Sequence, residues 1–568
     1  MPTCYFGLTD WSPPGVPGGG ITGIVAPDGG GVCFIAGSTS GGRNDAAGAA
    51  QLGAAGAARR RHGRGGRLVG PPRLDEGGRA ETGNRRHYET NSAHSRLQLP
   101  FPLSKHRDLA DVRDIPLIEP ERVVELNDAP EQPGDYVLYW MQNSQRAEFN
   151  PALEAAIAAA NRLGLPVLVG FGLTADYPEA NARHYAFMLE GLAETERALR
   201  ARGIGFAICL GSPVDVALRL AQRAALVVSD RGYLRQQRQW RAEVAAKAGR
   251  RVLQVEGDVV VPVELASVKA EVGARTLRPK LLRLRDRFLQ PLRRQHPRHS
   301  AEHVAVAGDV HLTDIPTLLR RLGVDRNVSP VGQFRGGYTE ARRRLRDFAT
   351  RGLQRYVAAR AHPGEPEIST LSPYLHFGQI SPIEIALTVR GAAAGTEDRA
   401  AYLEELIVRR ELAMNFVHTT PDYDQYGCLP QWARQTLSAR KNDRREHVYG
   451  FEQLARADIH DPYWNAAMRE MLLTGYMHNY MSMYWGKKVL EWSPSPEEGY
   501  ATLLRLNNTF FVDGRDANSY ANVGWVFGLH DRPWPERPIF GKVRSMTAAG
   551  LQRKTDIDLY VRKMSALA

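Results

Sequence analysis

Short apolar runs alternate with amphipathic segments between residues 135 and 256. Continuous apolar runs are typical of strands that are buried on both faces of a parallel sheet. The segments between them have helical periodicity, and Asn150 and Pro151 suit the N-cap and first position of a helix that continues to Leu163. This alternation predicts an α/β domain built on a doubly wound parallel sheet. The predicted strands are Asp135–Met141, Leu165–Leu173, Ile204–Leu210, Ala225–Asp230 and Arg251–Glu256.

The pattern changes twice further along the chain. Residues 263–334 are rich in Arg, Leu and Pro, and we interpret them as a partly helical inter-domain linker that follows an α/β domain over residues 130–262. Long helical periods with few strand signals then predict an all-helical domain over residues 335–565. No phosphate-binding glycine loop follows the first strand, so the α/β domain either holds a small ligand at its strand ends or is a scaffold.

Glycine is concentrated at the start of the chain, where residues 1–90 contain 22 of the 54 glycines. Such a density without a collagen period cannot build a packed core. We therefore expect residues 1–120 to be a disordered Gly/Arg-rich tail, either native or a non-native extension of the reading frame. A GxGxxG match at Gly18, Gly20 and Gly23 has prolines before it and no helical pattern after it, so we interpret it as a chance match.

Charge and cysteine content narrow the functional classes. The 568 residues carry a net charge of +12, which suits a polyanionic partner. The four cysteines form no CxxC pair, which argues against a disulfide scaffold or a zinc ribbon and indicates a reduced, cytoplasmic compartment. No apolar stretch reaches the roughly 18 residues of a membrane helix, so we expect no membrane partner. The sequence also lacks metal-site, P-loop and nucleophile-elbow motifs.

Two stretches of the helical part each allow a structural and a functional interpretation. The closely spaced hydroxyls of Ser369, Thr370 and Ser372 precede Pro373, and Ser372 suits a helix N-cap. This segment alone favours an ordinary capped helix, and the alternative is an anion site suited to a pyrophosphate. Residues 402–416 (YLEELIVRRELAMNF) place acids and arginines at helical spacing. They form either a salt-bridged, solvated face or a helix with one carboxyl turned inward toward a substrate.

Aromatic residues are concentrated late in the chain. Trp485 and Trp492 lie two helical turns apart on one face, and Trp464 precedes Trp485 by 21 residues. These tryptophans are either core aromatics or a relay that carries an electron from the surface to a buried cofactor. Residues 507–546 interleave basic side chains with Trp and Pro, a pattern that suits nucleic acid because phosphates are paired and bases are stacked.

Together these stretches resemble the signatures of the class II DNA photolyases, within the photolyase–cryptochrome family. The first signature resembles residues 402–416, with Tyr402 where Phe is usual, and the second resembles GLHDRPWPERPIFGKVRSM at residues 528–546, with Ser545 and Thr547 departing from its usual ending. The resemblance runs from about residue 130 to 560. The shorter matching segments are YLHFGQIS, DPYWNAA, YWGKKVLEW and DGRDANSY.

The resemblance implies a Rossmann-like α/β domain followed by an all-helical domain that binds one FAD. It implies light-dependent repair of cyclobutane pyrimidine dimers in UV-damaged double-stranded DNA, by electron transfer from excited reduced FAD. Residue by residue, it places Glu405 against the dimer, Asn507 beside flavin N5, and Trp485, Trp464 and Trp492 in the photoreduction relay. It also places Tyr356, Ser369, Leu371 and Ser372 at the flavin phosphates and ribose, Asp513 near the isoalloxazine ring, and Met483, Trp525, Trp534 and Arg544 in the dimer pocket.

One departure from the family pattern concerns the flavin's surroundings. Ser482 stands where the family usually has an arginine that pairs with the acid matched to Asp513. Either a cation such as Arg515 replaces that arginine, or Asp513 changes its protonation. The resemblance also implies a cytoplasmic monomer, nucleoid-associated if the chain is bacterial, and leaves open an antenna chromophore in the N-terminal domain. The alternatives are a cryptochrome-like flavin photoreceptor without repair activity and a flavin-free nucleic-acid-binding protein.

Overall fold

The alternating apolar runs form a single six-stranded sheet. The structure is a computed structural model and describes residues 118–306 and 308–567. The strands are β1 (Val123–Glu125), β2 (Tyr136–Trp140), β3 (Val167–Leu173), β4 (Gly205–Leu210), β5 (Ala224–Asp230) and β6 (Val252–Val255). Their order in the sheet is β1-β6-β5-β2-β3-β4, and every neighbouring pair is parallel except β1 and β6.

The five predicted strands are confirmed, each within two residues of its predicted ends. The first strand, β1, was not predicted, and it lies before residue 130, where the α/β domain was expected to begin. Its three residues are too few to show an apolar run in the sequence. They are extended because they pair antiparallel with β6. Most of the predicted tail, including the GxGxxG match, lies outside the described residues.

Four helices cover both faces of the sheet, as the doubly wound prediction requires. Alternate residues of β2 separate the two faces: Val137 and Tyr139 join the core beneath the first two helices, whereas Leu138 and Trp140 join the core beneath the next two. The predicted cap is also confirmed, since the Asn150 side chain accepts a hydrogen bond from the backbone N–H of Leu153. These helices are α1 (Pro151–Leu163), α2 (Ala182–Arg200), α3 (Pro213–Ala221) and α4 (Arg235–Lys247).

The rest of the described chain is helical. Within the described ranges, no helix is both long enough and apolar enough to cross a membrane. A π-helix, Glu404–Arg409, interrupts this helical part. The α-helices are α5 (Val263–Ala266), α6 (Ala274–Phe288), α7 (Ile315–Leu322), α8 (Tyr338–Thr350), α9 (Tyr356–Ala359), α10 (Ser372–His376), α11 (Pro382–Gly391), α12 (Thr396–Leu403), α13 (Arg410–Thr419), α14 (Gln431–Ala439), α15 (Phe451–Ala455), α16 (Pro462–Thr474), α17 (Asn479–Trp492), α18 (Pro496–Phe510), α19 (Ala517–Val526), α20 (Ala548–Lys554) and α21 (Ile557–Ser565).

Residues 263–334 are partly helical, as predicted, but they contribute to both cores instead of only connecting them. Leu277 and Leu281 of α6 are buried in the core that also contains the helices from α8 to α12. Leu318 and Leu319 of α7 are buried with α1 and α2 against the sheet. The range is rich in Arg and Leu because it contains amphipathic helices whose leucines face the cores.

The first turn of α2 is bound to the end of α18. The Arg183 guanidinium donates hydrogen bonds to the carbonyls of Met471, Leu472 and Phe510, which belong to the ends of α16 and α18. The Asn181 amide donates to the carbonyl of Thr509, and a ring nitrogen of His184 lies 2.8 Å from the carbonyl of Phe511. The Leu472, Thr509 and Phe510 carbonyls belong to the last turns of their helices, where carbonyls lack intrahelical partners. The Met471 carbonyl also accepts the backbone N–H of Gly475.

Candidate active site

The π-helix turns one carboxyl into the protein. A π-helix holds one more residue per hydrogen-bonded turn than an α-helix and frequently marks a functional site. Here it buries four consecutive side chains, from Glu405 to Val408. The preceding Glu404 stays partly exposed and pairs with Arg278 and Arg409, at 2.8 and 3.3 Å. The stretch therefore combines the solvated salt bridges and the inward carboxyl that the sequence left as alternatives.

Glu405 is bound by an arginine that the sequence did not point to. Arg360 donates from Nη1 to Glu405 Oε1 at 2.9 Å, and its guanidinium also lies over the ring of Tyr356. Burial raises the pKa of Glu405 to about 7, against the opposing effect of Arg360. The carboxyl is therefore present in both its neutral and its ionised form near neutral pH. Its second oxygen, Oε2, is buried and has no hydrogen-bond partner among the described residues.

The hydroxyl-rich segment lies beside the same arginine. Tyr402 donates from its hydroxyl to Ser369 Oγ at 3.0 Å, and the Tyr402 and Tyr356 rings are in edge contact. Arg344 donates to Thr370 Oγ1 at 2.9 Å, which brings a second cation to the segment. The structure thus places two of the predicted flavin contacts, Tyr356 and Ser369, in one polar cluster with Glu405.

The prediction that Ser372 caps a helix is wrong. Ser372 is the first residue of α10, and the N-cap position is taken by Leu371, which is buried and makes no side-chain cap. Ser372 is also buried, and its Oγ has no hydrogen-bond partner among the described residues. Because α10 has only five residues, its dipole is short, and the hydroxyls matter more than the helix for binding an anion.

Asn507 lies in the last turn of α18, where the chain turns back on itself toward α19. Its Nδ2 donates to Asn508 Oδ1 at 3.1 Å, and its Oδ1 is buried without a hydrogen-bond partner in the described ranges. Gly514 is needed for this turn, because a Cβ there would lie 2.9 Å from the carbonyl oxygen of Asn507. Arg515 follows in the left-handed region, with φ of 68°. Gly514 and Arg515 of the DGRD motif thus allow the backbone to pass close to Asn507.

Ser482 and Arg515, which both bear on the arginine that the family pattern lacks here, have different surroundings. Ser482 is completely buried in α17, and its hydroxyl donates to the carbonyl of Asn479. The Arg515 guanidinium lies over the ring of Tyr177, 5.6 Å from its centroid, and faces the α/β part of the protein. Asp513 is buried, with 1% of its surface exposed. That Arg515 replaces the family's arginine stays a prediction, and the observed contact of its guanidinium is with Tyr177.

The three tryptophans of the predicted relay are in contact. Trp464 stacks on Trp485 with ring centroids 6.2 Å apart, and it meets Trp492 edge-on at 6.1 Å. Trp464 thus lies between the two tryptophans of α17. At the inner end, Trp485 contacts the ring of Phe511, whose backbone N–H donates to the carbonyl of Asn507. The aromatic chain therefore leads to the Asn507 turn, although all three tryptophans are also buried core residues.

Three of the four predicted dimer-pocket residues form one cation–aromatic cluster. The Arg544 guanidinium lies 4.2 Å from the ring centroid of Trp534 and 5.6 Å from that of Trp525. Lys487, which the sequence analysis missed, is fully buried beneath Trp525 at 4.5 Å and donates to the carbonyl of Val526. Burial lowers the pKa of Lys487 to about 7. A sequence signal existed, since Lys487 lies one helical turn after Met483, the fourth pocket residue.

A separate cavity of about 90 Å³ lies at the carboxyl ends of the strands. It is lined by the last residues of β2, β3 and β5, by aromatic side chains including Tyr177 and Trp240, and by Arg515. Arg515 is buried, and its Nε and Nη2 have no hydrogen-bond partner among the described residues. Ligands of doubly wound sheets bind at this edge, so the cavity lies where such a domain would hold a small ligand.

Sequence comparison finds the same family along most of the chain. Residues 137–298 match the family model for DNA photolyase. A deoxyribodipyrimidine photo-lyase of Methanothermobacter thermautotrophicus is 45% identical over 452 residues, which cover 79% of this chain and 99% of that protein. The enzymes of the same name from Arabidopsis thaliana and Potorous tridactylus are 35% and 37% identical, over 79% and 75% of this chain and 94% and 81% of their own lengths.

Solved structures share the fold at lower sequence identity. A bacterial class III photolyase from Agrobacterium tumefaciens superposes with a TM-score of 0.59 at 19% identity, over 77% of this chain and 88% of that one. An archaeal photolyase from Sulfolobus tokodaii, described as containing two FAD molecules, superposes with a TM-score of 0.55 at 18% identity, over 75% and 89% of the two chains. These likenesses confirm an α/β domain followed by a helical domain.

Proposed function

Because the chain belongs to the photolyase–cryptochrome family, we propose that it is a deoxyribodipyrimidine photo-lyase, which repairs cyclobutane pyrimidine dimers in DNA in the light. The observation that carries the proposal is the buried carboxyl of Glu405, held by Arg360 beside the polar cluster of Tyr356 and Ser369. Membership of class II, the monomeric state and the cytoplasmic location stay predictions from the sequence.

The buried polar atoms of this region fit an FAD. Ser372 Oγ, Asn507 Oδ1 and Trp485 Nε1 are all buried without hydrogen-bond partners in the described ranges, and together they offer donors and acceptors. In this proposal Tyr356, Ser369, Leu371 and Ser372 hold the phosphates and ribose, Asn507 faces N5, and Asp513 lies near the ring system. When bound and reduced, the flavin supplies the light-driven electron, and the protein supplies position and electrostatics.

The substrate side is formed by Glu405 and the cation–aromatic cluster. In its neutral form the Glu405 carboxyl donates a hydrogen bond, and Arg360 fixes its orientation from the opposite oxygen. Trp525 and Trp534 offer flat apolar surfaces, and Arg544 supplies positive charge for the phosphates around a flipped-out lesion. The buried Lys487 supports Trp525 from beneath. Enzymes that do chemistry on a base within duplex DNA, photolyases among them, turn that base out of the helix. The clustering of these groups supports repair over a receptor function without repair.

The cavity at the strand ends is proposed as the site of an antenna chromophore. Its aromatic lining suits a planar ring, and the buried Arg515 guanidinium suits a ligand with an anionic group. The experiment is an absorption spectrum of the purified protein before and after FAD extraction, for the wild type and for Arg515→Met. A second chromophore that is lost in Arg515→Met supports the site.

Repair itself is tested with purified protein, FAD and an oligonucleotide that contains a single dimer. Light-dependent loss of the dimer, with none in the dark, is the expected result. A protein that binds flavin and reacts to light but leaves the dimer intact in both arms would favour the cryptochrome-like alternative. A protein that binds the DNA but no flavin would favour the flavin-free alternative.

A further inference from the structure

The residue after Asn507 has an amide whose orientation is fixed at both ends. Asn508 is completely buried, and its Oδ1 accepts the backbone N–H of Arg515 at 2.9 Å. Its Nδ2 donates to Glu179 Oε2, in the segment between β3 and α2 of the α/β part, at 2.6 Å. A backbone N–H can only donate and a carboxylate can only accept, so the two ends of the Asn508 amide cannot be exchanged.

This fixed amide decides which way its neighbour points. Asn508 Oδ1 also faces the Asn507 amide, and only the Nδ2 end of Asn507 can donate to it. The Oδ1 end of Asn507 therefore points away from Asn508, and it is the buried atom that has no hydrogen-bond partner in the described ranges. At this position the protein presents an acceptor, and a donor would require the whole network to rearrange.

The contact from Glu179 comes from a strained segment. Glu179 adopts φ of 58°, which is uncommon for a residue other than glycine. Such conformations persist where surrounding structure holds them and are frequent at functional sites. In the same segment, Tyr177 lies beneath the Arg515 guanidinium, so the segment contacts the Asn507 turn at two points. The α/β part thus reaches the polar network that orients Asn507.

We propose that Asn508 and Glu179 are positioning residues, which hold the Asn507 amide with its oxygen toward N5 of the bound flavin. The inference rests on the proposed function, because it takes the flavin to lie beside Asn507. An acceptor at this point stabilises a flavin that carries a proton on N5, and a donor would stabilise the unprotonated nitrogen. The two residues therefore set the protonation of the reduced cofactor without being catalytic residues themselves.

The test follows the N5 proton spectroscopically in the FAD-loaded protein. The wild type, Asn508→Ala and Glu179→Ala are reduced by one electron, and the absorption spectrum is recorded as a function of pH. In Asn508→Ala the Asn507 amide is free to rotate, and we expect the pH at which N5 loses its proton to fall by about one unit, which is a tenfold change in the equilibrium. Glu179→Ala leaves the Arg515 contact in place, so we expect a smaller fall in the same direction.

The matched control is Glu190→Ala. Glu190 is another carboxylate of the α/β part that accepts a hydrogen bond from the helical part, at the backbone N–H of Gly336, and it has no contact with Asn508. It should titrate like the wild type. If Asn508→Ala fails to hold FAD, Glu179→Ala decides, because it removes no group beside the flavin.

Three results overturn the inference, and they are distinguishable. Variants that bind FAD and show the wild-type N5 titration overturn the positioning role alone, and leave the proposed function standing. A wild-type protein that binds no FAD overturns the proposed function, and the inference with it. An equal shift in Glu190→Ala would show that any loss of a contact between the α/β and helical parts has this effect, and would also overturn the specific role.

Discussion

Replacing Glu405 by glutamine tests the centre of the proposed mechanism with little change of shape. The amide oxygen can still accept from Arg360, which donates to Oε1 at 2.9 Å, so we expect the fold and flavin binding to persist. The glutamine side chain can neither ionise nor act as a neutral carboxylic acid. Removal of one preorganised hydrogen-bond donor typically costs about 10²–10³ in rate. Because the glutamine N–H₂ remains a weaker donor, we expect repair to slow by about 10- to 100-fold.

The assay is light-dependent repair of a dimer-containing oligonucleotide by chemically reduced protein, so that photoreduction does not enter the measured rate. The adjacent Glu404→Gln is the matched control, since Glu404 pairs with Arg278 and Arg409 on the outer side of the π-helix. It should repair at nearly the wild-type rate. Equal losses in both variants would show that the π-helix, and not the inward carboxyl, limits repair.

The pH dependence of repair is a second, independent test of the role of the Glu405 carboxyl. The pKa of Glu405 is raised to about 7, so its neutral form dominates below that pH and is lost as the pH rises through it. Wild-type repair should therefore decline above about pH 7. The glutamine variant has no such ionisation and should lack the decline. Repair by Glu405→Gln at the wild-type rate with an unchanged pH profile would refute the role of this carboxyl.

Three further changes address the relay, the flavin's charge and the pocket. We expect Trp485→Phe to block photoreduction of oxidised flavin while chemically reduced protein still repairs, and normal photoreduction would show that the tryptophans are only core aromatics. We expect Ser482→Arg to raise the flavin reduction potential and slow reoxidation in air, measured by reductive titration, because a cation favours the anionic reduced form. Bound flavin with an unchanged or lower potential would contradict this. We expect Lys487→Met to cost about 1–3 kcal/mol in the free energy of unfolding, because the Val526 carbonyl loses its donor. It should also weaken binding to dimer-containing DNA in a titration, and unchanged affinity would remove Lys487 from the pocket.

The α/β sheet could be predicted from the sequence because its information is local. Continuous apolar runs and helix caps such as Asn150 depend on neighbouring residues, and they located five strands and the first helix. The exception, β1, is extended only because β6 lies beside it. The cap assigned to Ser372 is wrong because the helix already begins at Ser372, and Leu371 before it has helical backbone angles.

The candidate site could be predicted only in part. Motif wording identified Glu405 and the tryptophans, and the structure brings the tryptophans into contact. It did not identify Arg360, which directly follows α9 and contacts Glu405 from 45 positions earlier. Nor did it identify Glu179, which contacts Asn508 from 329 positions earlier. Such partners are chosen by tertiary packing, and no periodicity within one segment records them.

The Arg183 contacts bear on how the protein loses its structure. A guanidinium from the α/β part satisfies the carbonyls at the ends of two helices in the other part, and at 4% exposure it is shielded from water. If the sheet melted first, the Leu472 and Phe510 carbonyls would lose this donor, and the turn that follows Asn507 would lose its anchor. Melting of the sheet alone is therefore disfavoured, because it leaves buried carbonyls of the helical part without their donor, and this couples the unfolding of the two parts. Flavin release and loss of the sheet's circular dichroism signal should accordingly coincide in a denaturant titration.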